Sequence, residues 1–190
     1  MRIRLPVVVL AVAAALPVVT WAAFKPVRVL APQLVGLTCV AENVCVDDLD
    51  KLPEALALKA DALSFVSERV DRIGKVPRFV FCSQLACAES FGFKYQGAYH
   101  VGTSAVVIGP RGWKPFFVRH EVIHHVQMEN IGSVHALLFT PEWFIEGMAY
   151  SLSEDPRRPL PEPLEGWRSK FEAWYPAVKK EELWDVAREL

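Results

Sequence analysis

The chain has 190 residues, of which 52% are hydrophobic and 23% charged, and its formal net charge is −1. This composition suits one folded domain with a sizeable core and excludes a disordered or fibrous chain. Because acidic and basic residues nearly balance and no basic stripe is present, we expect no nucleic-acid partner.

The N-terminal segment predicts export from the cytoplasm. Arg2 and Arg4 precede an uncharged apolar run over residues 5–24, which is long enough for a helix to cross a bilayer of about 30 Å. We interpret residues 1–24 as a signal anchor with the following domain in the periplasm or at the cell surface, because the arginines favour a cytoplasmic start. The alternative is a signal peptide that is cleaved near residues 20–22, which would give a secreted protein.

Four cysteines also favour an exported protein. Cys39 and Cys45 flank one short loop, and Cys82 and Cys87 flank another. Three pairings are possible, and proximity along the chain favours Cys39–Cys45 and Cys82–Cys87. Neither spacing is the C-x-x-C of a zinc ribbon. Two small disulfides predict an oxidising compartment.

The first half of the chain predicts an irregular neck, one helix and three strands. Residues 25–50 carry prolines and a cysteine pair and are typical of an irregular neck. Apolar residues recur at helical spacing over residues 54–73, between Pro53 and Gly74. Short aromatic or β-branched segments then follow at residues 77–82, 91–99 and 104–108. Their short connections predict an antiparallel sheet, with a hairpin turn near residues 100–103.

The second half predicts mainly helix. One helix covers residues 115–131 and ends at Gly132. Another covers residues 141–153, where Thr140 and Pro141 suit the N-cap and the first helical position. Residues 166–190 return to helix, with an aromatic face and a break at Pro176. This last segment either packs as a closing helix or forms a lid over a cleft.

The most informative motif is His120-Glu121-Val122-Ile123-His124. On a helix, positions 120 and 124 lie about 40° apart, so both imidazoles leave the same face one turn apart. This H-E-x-x-H spacing lets two histidines bind one zinc ion while Glu121 reaches a neighbouring water. A catalytic zinc site usually needs a third protein ligand and keeps one position open for water.

Four residues are candidates for the third ligand. His125 points about 100° away from His124 on the helix, and His135 lies in a connecting segment with nothing to hold it at the metal. Glu142 has a sufficient explanation as a first-turn acid opposing the helix dipole. Glu146 lies amid apolar residues, where a carboxylate needs a partner. We therefore favour Glu146 as the third ligand.

The two segments together resemble the gluzincin group of zinc metallopeptidases. In that group a first helix carries H-E-x-x-H and a second helix supplies a glutamate within W-x-x-E-G-x-A. The second pattern is matched here by Trp143-Phe144-Ile145-Glu146-Gly147-Met148-Ala149. The resemblance covers residues 120–149 and implies Zn²⁺ as the cofactor. It also implies His120, His124 and Glu146 as metal ligands and Glu121 as the general base.

The resemblance also implies a fold and a set of domains. The helix and strands between residues 54 and 108 fit the small catalytic core of that group. We therefore expect an α+β fold with a zincin-like core, in which an antiparallel three-stranded sheet packs on helices behind an N-terminal membrane helix. The expected domains are the signal anchor at residues 1–24, the neck at 25–50 and the metallopeptidase domain at 51–190.

The implied reaction is hydrolysis of peptide bonds in a peptide or protein substrate. Zinc activates a water molecule, and Glu121 takes its proton and returns it to the leaving amine. The developing oxyanion needs a further donor, for which the candidates are Tyr150, Tyr99, His100 and His135; for the two tyrosines a structural role is favoured over a catalytic one. The edge of the strand near Tyr99 could pair with an extended peptide.

Two other hypotheses stay open at this point. The chain could be a non-catalytic zinc-binding module for interaction or assembly, derived from a peptidase, although the presence of Glu121 disfavours this. Alternatively, the H-E-x-x-H spacing could be accidental, in which case Glu146 would lie far from both histidines.

Overall fold

The computed structural model describes residues 19–21, 23–40 and 43–190. Five strands form one mixed sheet with the spatial order β1-β2-β3-β5-β4. The strands are β1 (Thr38–Val40), β2 (Val44–Val46), β3 (Arg78–Phe81), β4 (Ala98–Val101) and β5 (Ala105–Ile108).

Seven α-helices whose bounds are fully described accompany the sheet. They are α1 (Leu52–Arg69), α2 (Leu85–Ser90), α3 (Pro115–Ile131), α4 (Ser133–Leu138), α5 (Glu142–Leu152), α6 (Leu164–Trp174) and α7 (Leu183–Arg188). The predicted helices at residues 54–73, 115–131 and 141–153 correspond to α1, α3 and α5. Gly132 ends α3 with a positive φ of 90°, a conformation that glycine adopts without steric cost.

The prediction of an antiparallel three-stranded sheet was wrong. β3 pairs in parallel with both β2 and β5, and only the outer pairs β1–β2 and β4–β5 are antiparallel. The predicted hairpin between β4 and β5 is present. A meander would place β4 between β3 and β5, whereas in the structure β5 lies between β3 and β4. All four residues of β5 are buried, whereas β4 is buried only at Ala98. A strand that is apolar on both faces lies in the interior of a sheet, and the half-polar strand takes the edge.

The sheet also extends into the segment predicted as an irregular neck. β1 and β2 form a hairpin in which Cys39 lies directly opposite Cys45. The two predicted disulfides, Cys39–Cys45 and Cys82–Cys87, are confirmed. These disulfides indicate an oxidising, extracytoplasmic environment.

The membrane helix expected at residues 1–24 is not found in the described part of the chain. Residues 1–18 and 22 lie outside that part. Among the residues that are described, no helix has the length and apolar character needed to cross a membrane.

The main hydrophobic core lies between one face of the sheet and helices α1, α3, α5 and α6. Alternate residues of the strands, such as Phe79, Phe81 and Val106, face this core, which α3 enters with Val118, Val122 and Val126. The three valines follow the helical spacing of a buried face. Because α3 packs against α1, α5 and β4, its H-E-x-x-H segment is fixed in orientation on several sides.

Gly147 permits a close contact between α5 and α6. A Cβ atom at this position would lie 2.4 Å from the backbone oxygen of Trp167 and 2.9 Å from Cβ of Phe171. Trp143 and Phe144 of α5 also pack on Trp174 of α6, with ring centroids 5.6 and 5.5 Å apart. The C-terminal segment therefore packs as a closing helix.

Candidate metal centre

Two helices, α3 and α5, bring three possible metal-ligating side chains together. The Nε2 atoms of His120 and His124 lie 3.0 Å apart. Each of them is 3.5 Å from a different carboxylate oxygen of Glu146. The ligand atoms of these residues all lie within 4.8 Å of one another, so that the group could hold a metal ion. A second group, formed by His100, Glu121 and His124, meets the same distance limit but shares His124 with the first.

Gln127 fixes the orientation of the His124 ring. Its Nε2 donates a hydrogen bond to the backbone oxygen of Ile145, at 3.0 Å. The other polar atom of the amide, Oε1, lies 2.8 Å from Nδ1 of His124. Because Oε1 can only accept a hydrogen bond, Nδ1 must carry the hydrogen and donate it. His124 is therefore the Nδ1–H tautomer, whose free lone pair on Nε2 points towards His120 and Glu146. A histidine that binds a metal usually donates a hydrogen bond from its other ring N–H in this way.

The same amide also couples the two helices. Gln127 is on α3 and is fully buried, while Ile145 is on α5, directly before Glu146. One side chain therefore sets both the ring of His124 and the position of the helix that carries Glu146. Gln127 was not predicted from the sequence. Its position three residues after His124, on a neighbouring helical face, was the signal available.

The electrostatics differ among the three possible metal ligands. Burial lowers the pKa of His124 to about 4, so this imidazole is neutral at pH 7. Burial by itself would raise the pKa of Glu146, but the charge of His124 and the hydrogen bond and charge of His120 lower it to about 2. Burial likewise opposes protonation of His120, yet the contact with Glu146 raises the pKa of His120 above its ordinary value. The site thus combines a carboxylate with a neutral imidazole.

Glu121 lies beside this group and is held by His100. One oxygen of Glu121 is 3.4 Å from Nδ1 of His100, which is on the edge strand β4. Burial would raise the pKa of Glu121, but the hydrogen bond from His100 and the nearby charges of His120 and His124 lower it. Glu121 is therefore a carboxylate at neutral pH and can accept a proton from a water molecule in the cleft.

Tyr150 approaches the site from α5, one turn after Glu146. Its ring centroid is 4.4 Å from that of His120. Burial raises the pKa of Tyr150 to about 12, so that its hydroxyl stays protonated and can donate a hydrogen bond. The guanidinium carbon of Arg157 lies 5.9 Å from the centroid of the Tyr150 ring. The guanidinium of Arg157 is itself occupied by both carboxylate oxygens of Asp155.

These side chains line a cleft of about 350 Å³, a size typical of small-ligand and peptide sites. One wall is formed by α3 and α5, and the opposite wall by β4 and the segment before it. The lining residues lie between positions 95 and 157, so the C-terminal helices form no part of the cleft.

Four residues weighed as candidates from the sequence lie away from the metal-ligating group. His125 is buried and contacts the backbone oxygen of Lys75 at 2.8 Å. Tyr99 donates its hydroxyl hydrogen bond to the backbone oxygen of Phe91 at 2.6 Å, and burial raises its pKa. His135 packs on Phe139 and does not line the cleft. Glu142 lies in the first turn of α5, where it opposes the helix dipole.

No family model, no curated protein and no solved structure matches this chain. Two imidazoles and one carboxylate suit a divalent transition metal and leave room for a further ligand. A second carboxylate next to them adds a proton acceptor at the same cleft.

Proposed function

We propose that the protein is an extracytoplasmic zinc metallopeptidase that hydrolyses peptide bonds, with His120, His124 and Glu146 as metal ligands and Glu121 as general base. The observation that carries this proposal is the convergence of the three ligand atoms within 4.8 Å beside a buried carboxylate in an open cleft. The resemblance of residues 120–149 to the gluzincin group supports it, since the residues matched to that group are those that converge.

Zinc is the metal we propose, because two imidazoles, one carboxylate and an open position are the usual set at catalytic zinc sites. When bound, it would polarise a carbonyl group and make a water molecule more acidic. The buried position of His124 and its contact with Gln127 hold its Nε2 lone pair towards the ion without a competing proton. Glu146 supplies the negative charge that balances part of the ion's charge.

In the proposed reaction Glu121 transfers the proton, while His100 and Tyr150 support it. Glu121 accepts a proton from water as the water attacks the scissile carbonyl carbon, and then delivers it to the nitrogen of the leaving amine. His100 holds the other carboxylate oxygen of Glu121, which orients the base. Tyr150 remains a neutral phenol and can donate a hydrogen bond to the oxygen that becomes negative.

The edge strand β4 offers a place for the substrate backbone. β4 pairs with β5 on one side only and lies at the end of the sheet order. Its other side carries backbone groups that an extended peptide can pair with, as in recognition by strand addition. His100 belongs to this strand and contacts Glu121 at 3.4 Å, so a peptide paired with β4 would lie close to the proposed base. This arrangement favours an extended peptide substrate.

The test compares the wild type with Glu121→Gln in zinc content and in cleavage of a mixed fluorogenic peptide set. Glutamine keeps the size of the side chain and removes its basicity. We expect both proteins to bind one equivalent of zinc and the variant to lose activity by about 10²–10⁴-fold.

Two results would count against the proposal. A purified protein that binds no zinc would exclude the metal site. Zinc binding without hydrolysis of any peptide would instead favour the alternative of a non-catalytic zinc-binding module. In that case Glu121→Gln would leave the protein's role in cells intact, while His124→Ala would abolish it.

A further inference from the structure

A second pocket, which the proposed reaction does not use, adjoins the cleft. This pocket has a volume of about 160 Å³ and shares Tyr95, Gln96 and Arg111 with the cleft. We call it the Arg111 pocket. Its remaining lining residues are Ser83, Leu85, Ala88, Phe93, Lys94 and Pro110. The lining is therefore mainly apolar, with two cationic side chains.

Neither cation has an acidic partner within the described part of the chain. Arg111 donates one hydrogen bond, from Nη1 to the backbone oxygen of Tyr95 at 3.1 Å, and it forms no ion pair there. Lys94 forms none there either. Arg157, the other arginine of the cleft, differs because Asp155 neutralises it. Arg111 is therefore the arginine of the cleft lining that no acid neutralises within the described residues.

Close glycine contacts fix the backbone that presents Arg111. A Cβ atom at Gly112 would lie 2.2 Å from the backbone oxygen of Gly97, and Gly109 donates its N–H to the same oxygen at 2.8 Å. The turn that carries Arg111 is thus seated directly against the segment that leads into β4. A ligand group bound by Arg111 would therefore lie at a defined place relative to the edge strand.

Apolar side chains are exposed at the same place. Tyr95 is 84% exposed and Leu85 is 60% exposed, although both are large. Exposed apolar surface with a charged rim is typical of a binding site. An apolar group of a ligand would cover these side chains, and an acidic group beside it would pair with Arg111 and Lys94.

We propose that the Arg111 pocket is a substrate subsite that binds a carboxylate together with a neighbouring apolar side chain of the peptide. This inference rests on the proposed peptidase function and adds a substrate class to it. Guanidinium groups bind carboxylates through two parallel hydrogen bonds, and among the described residues Arg111 uses one of its donors. The carboxylate is either the C-terminus of the peptide or the side chain of an acidic residue.

The experiment measures peptide binding to the full chain loaded with zinc and carrying Glu121→Gln, so that nothing is cleaved. One set of peptides ends in either a free carboxylate or an amide. A second set carries glutamate or glutamine at each position in turn, next to an apolar residue. Arg111→Gln is introduced in the same background, and Arg72→Gln, an exposed arginine beside a different hollow, is the matched control.

We expect an acidic peptide to bind about tenfold more tightly than its neutral counterpart. Arg111→Gln should remove this preference without changing zinc content or melting temperature, and Arg72→Gln should preserve it. Loss of the preference on amidation identifies the C-terminal carboxylate, and loss on the change to glutamine identifies a side chain. Equal binding of acidic and neutral peptides, an unchanged preference in Arg111→Gln, or no binding of any peptide would overturn the inference.

The outcome can be separated from that of the proposed function. If the wild type hydrolyses peptides without regard to acidic groups, the peptidase proposal stands and the subsite fails. If acidic peptides bind through Arg111 but the wild type cleaves none of them, the subsite stands and the peptidase proposal fails.

Discussion

The helical wall of the cleft and its opposite rim differ in how tightly their side chains are held. On the helical wall, His120, His124 and Glu121 are only 8%, 2% and 5% exposed, and each contacts another polar group of the site. On the rim, Tyr95 is almost fully exposed, and neither Lys94 nor Arg111 forms an ion pair with any residue that the structure describes. Under the proposed function this difference corresponds to two roles, because rigid groups suit chemistry and accessible groups suit selection of a substrate.

This comparison predicts how variants should behave. Changes on the helical wall should alter metal affinity or stability for every substrate. Changes on the rim should alter only the choice of substrate, as the test of Arg111 expects. The following predictions concern the helical wall. If any of them failed, the contrast between a tightly held wall and an accessible rim would be weaker.

The largest effect is expected from Glu146→Gln. It removes the carboxylate that lies 3.5 Å from the Nε2 atoms of both His120 and His124. Structural zinc sites with four ligands contribute about 10–16 kcal/mol, or about 2.5–4 kcal/mol per ligand, so the loss of one ligand should weaken zinc binding by about 10²–10³-fold. Competition with a chelator of known affinity measures this. Glu142→Gln is the control one turn earlier on α5 and should leave the affinity unchanged; equal effects of the two variants would contradict the assignment of Glu146.

The second prediction concerns acid stability of the metal-free protein. His124 has a folded pKa of about 4 against an ordinary 6.5, and Glu146 has about 2 against 4.5. Both values are lowered, so each group stabilises the fold above its ordinary pKa. The contribution of His124 is lost as the pH falls from 6.5 to 4, and that of Glu146 as it falls from 4.5 to 2, each by up to about 3 kcal/mol.

His120 acts in the opposite direction, because its raised pKa stabilises the fold at pH values below 6.5. The three groups together determine how the free energy of unfolding depends on pH. Urea unfolding at each pH measures their combined contribution, and NMR titration of the individual histidines separates the contributions of His120 and His124. We expect His124 to titrate near pH 4 and His120 above 6.5. A His124 ring that titrates near 6.5 would show that the helical wall is less tightly closed than proposed.

The smallest of these effects is expected from Gln127→Leu. Leucine has a similar size but neither fixes the tautomer of His124 nor bonds to the backbone of Ile145. Loss of such a supporting contact typically lowers metal affinity by about 10–100-fold. Asn130→Ala, which removes a side-chain amide from the same helix at a point that does not reach the site, should have no effect on zinc affinity. Unchanged zinc affinity in Gln127→Leu would assign Gln127 to packing alone.

Features that depend on near neighbours along the chain could be predicted from the sequence. The helix over residues 115–131 follows from its apolar spacing and from Gly132, and its register places His120 and His124 on one face. The disulfides followed from short spacings of six and five residues. Glu146 was identified because a carboxylate among apolar neighbours needs a partner.

Features that depend on distant segments could not be predicted. The order of strands was wrong because β3 and β5 are joined by hydrogen bonds between residues that are far apart in the chain, and short connections do not reveal such pairing. The contact of His100 with Glu121 depends on that order, since it exists only because β4 is the edge strand next to α3. Gln127 similarly gains its role from α5, which lies beyond α4.

The sequence by itself determined the possible ligands of the candidate metal centre. An α-helix places residues four positions apart on the same face, which brings His120 and His124 together. Glu146 stands among apolar neighbours, where a carboxylate needs a partner. Only the tertiary structure decided what surrounds those ligands. The parallel pairing of β3 and β5 places β4 at the edge of the sheet. There His100 contacts Glu121 and Arg111 is exposed to solvent. Such pairing is set by the burial of whole strands in a common core, which no local stretch of the chain encodes.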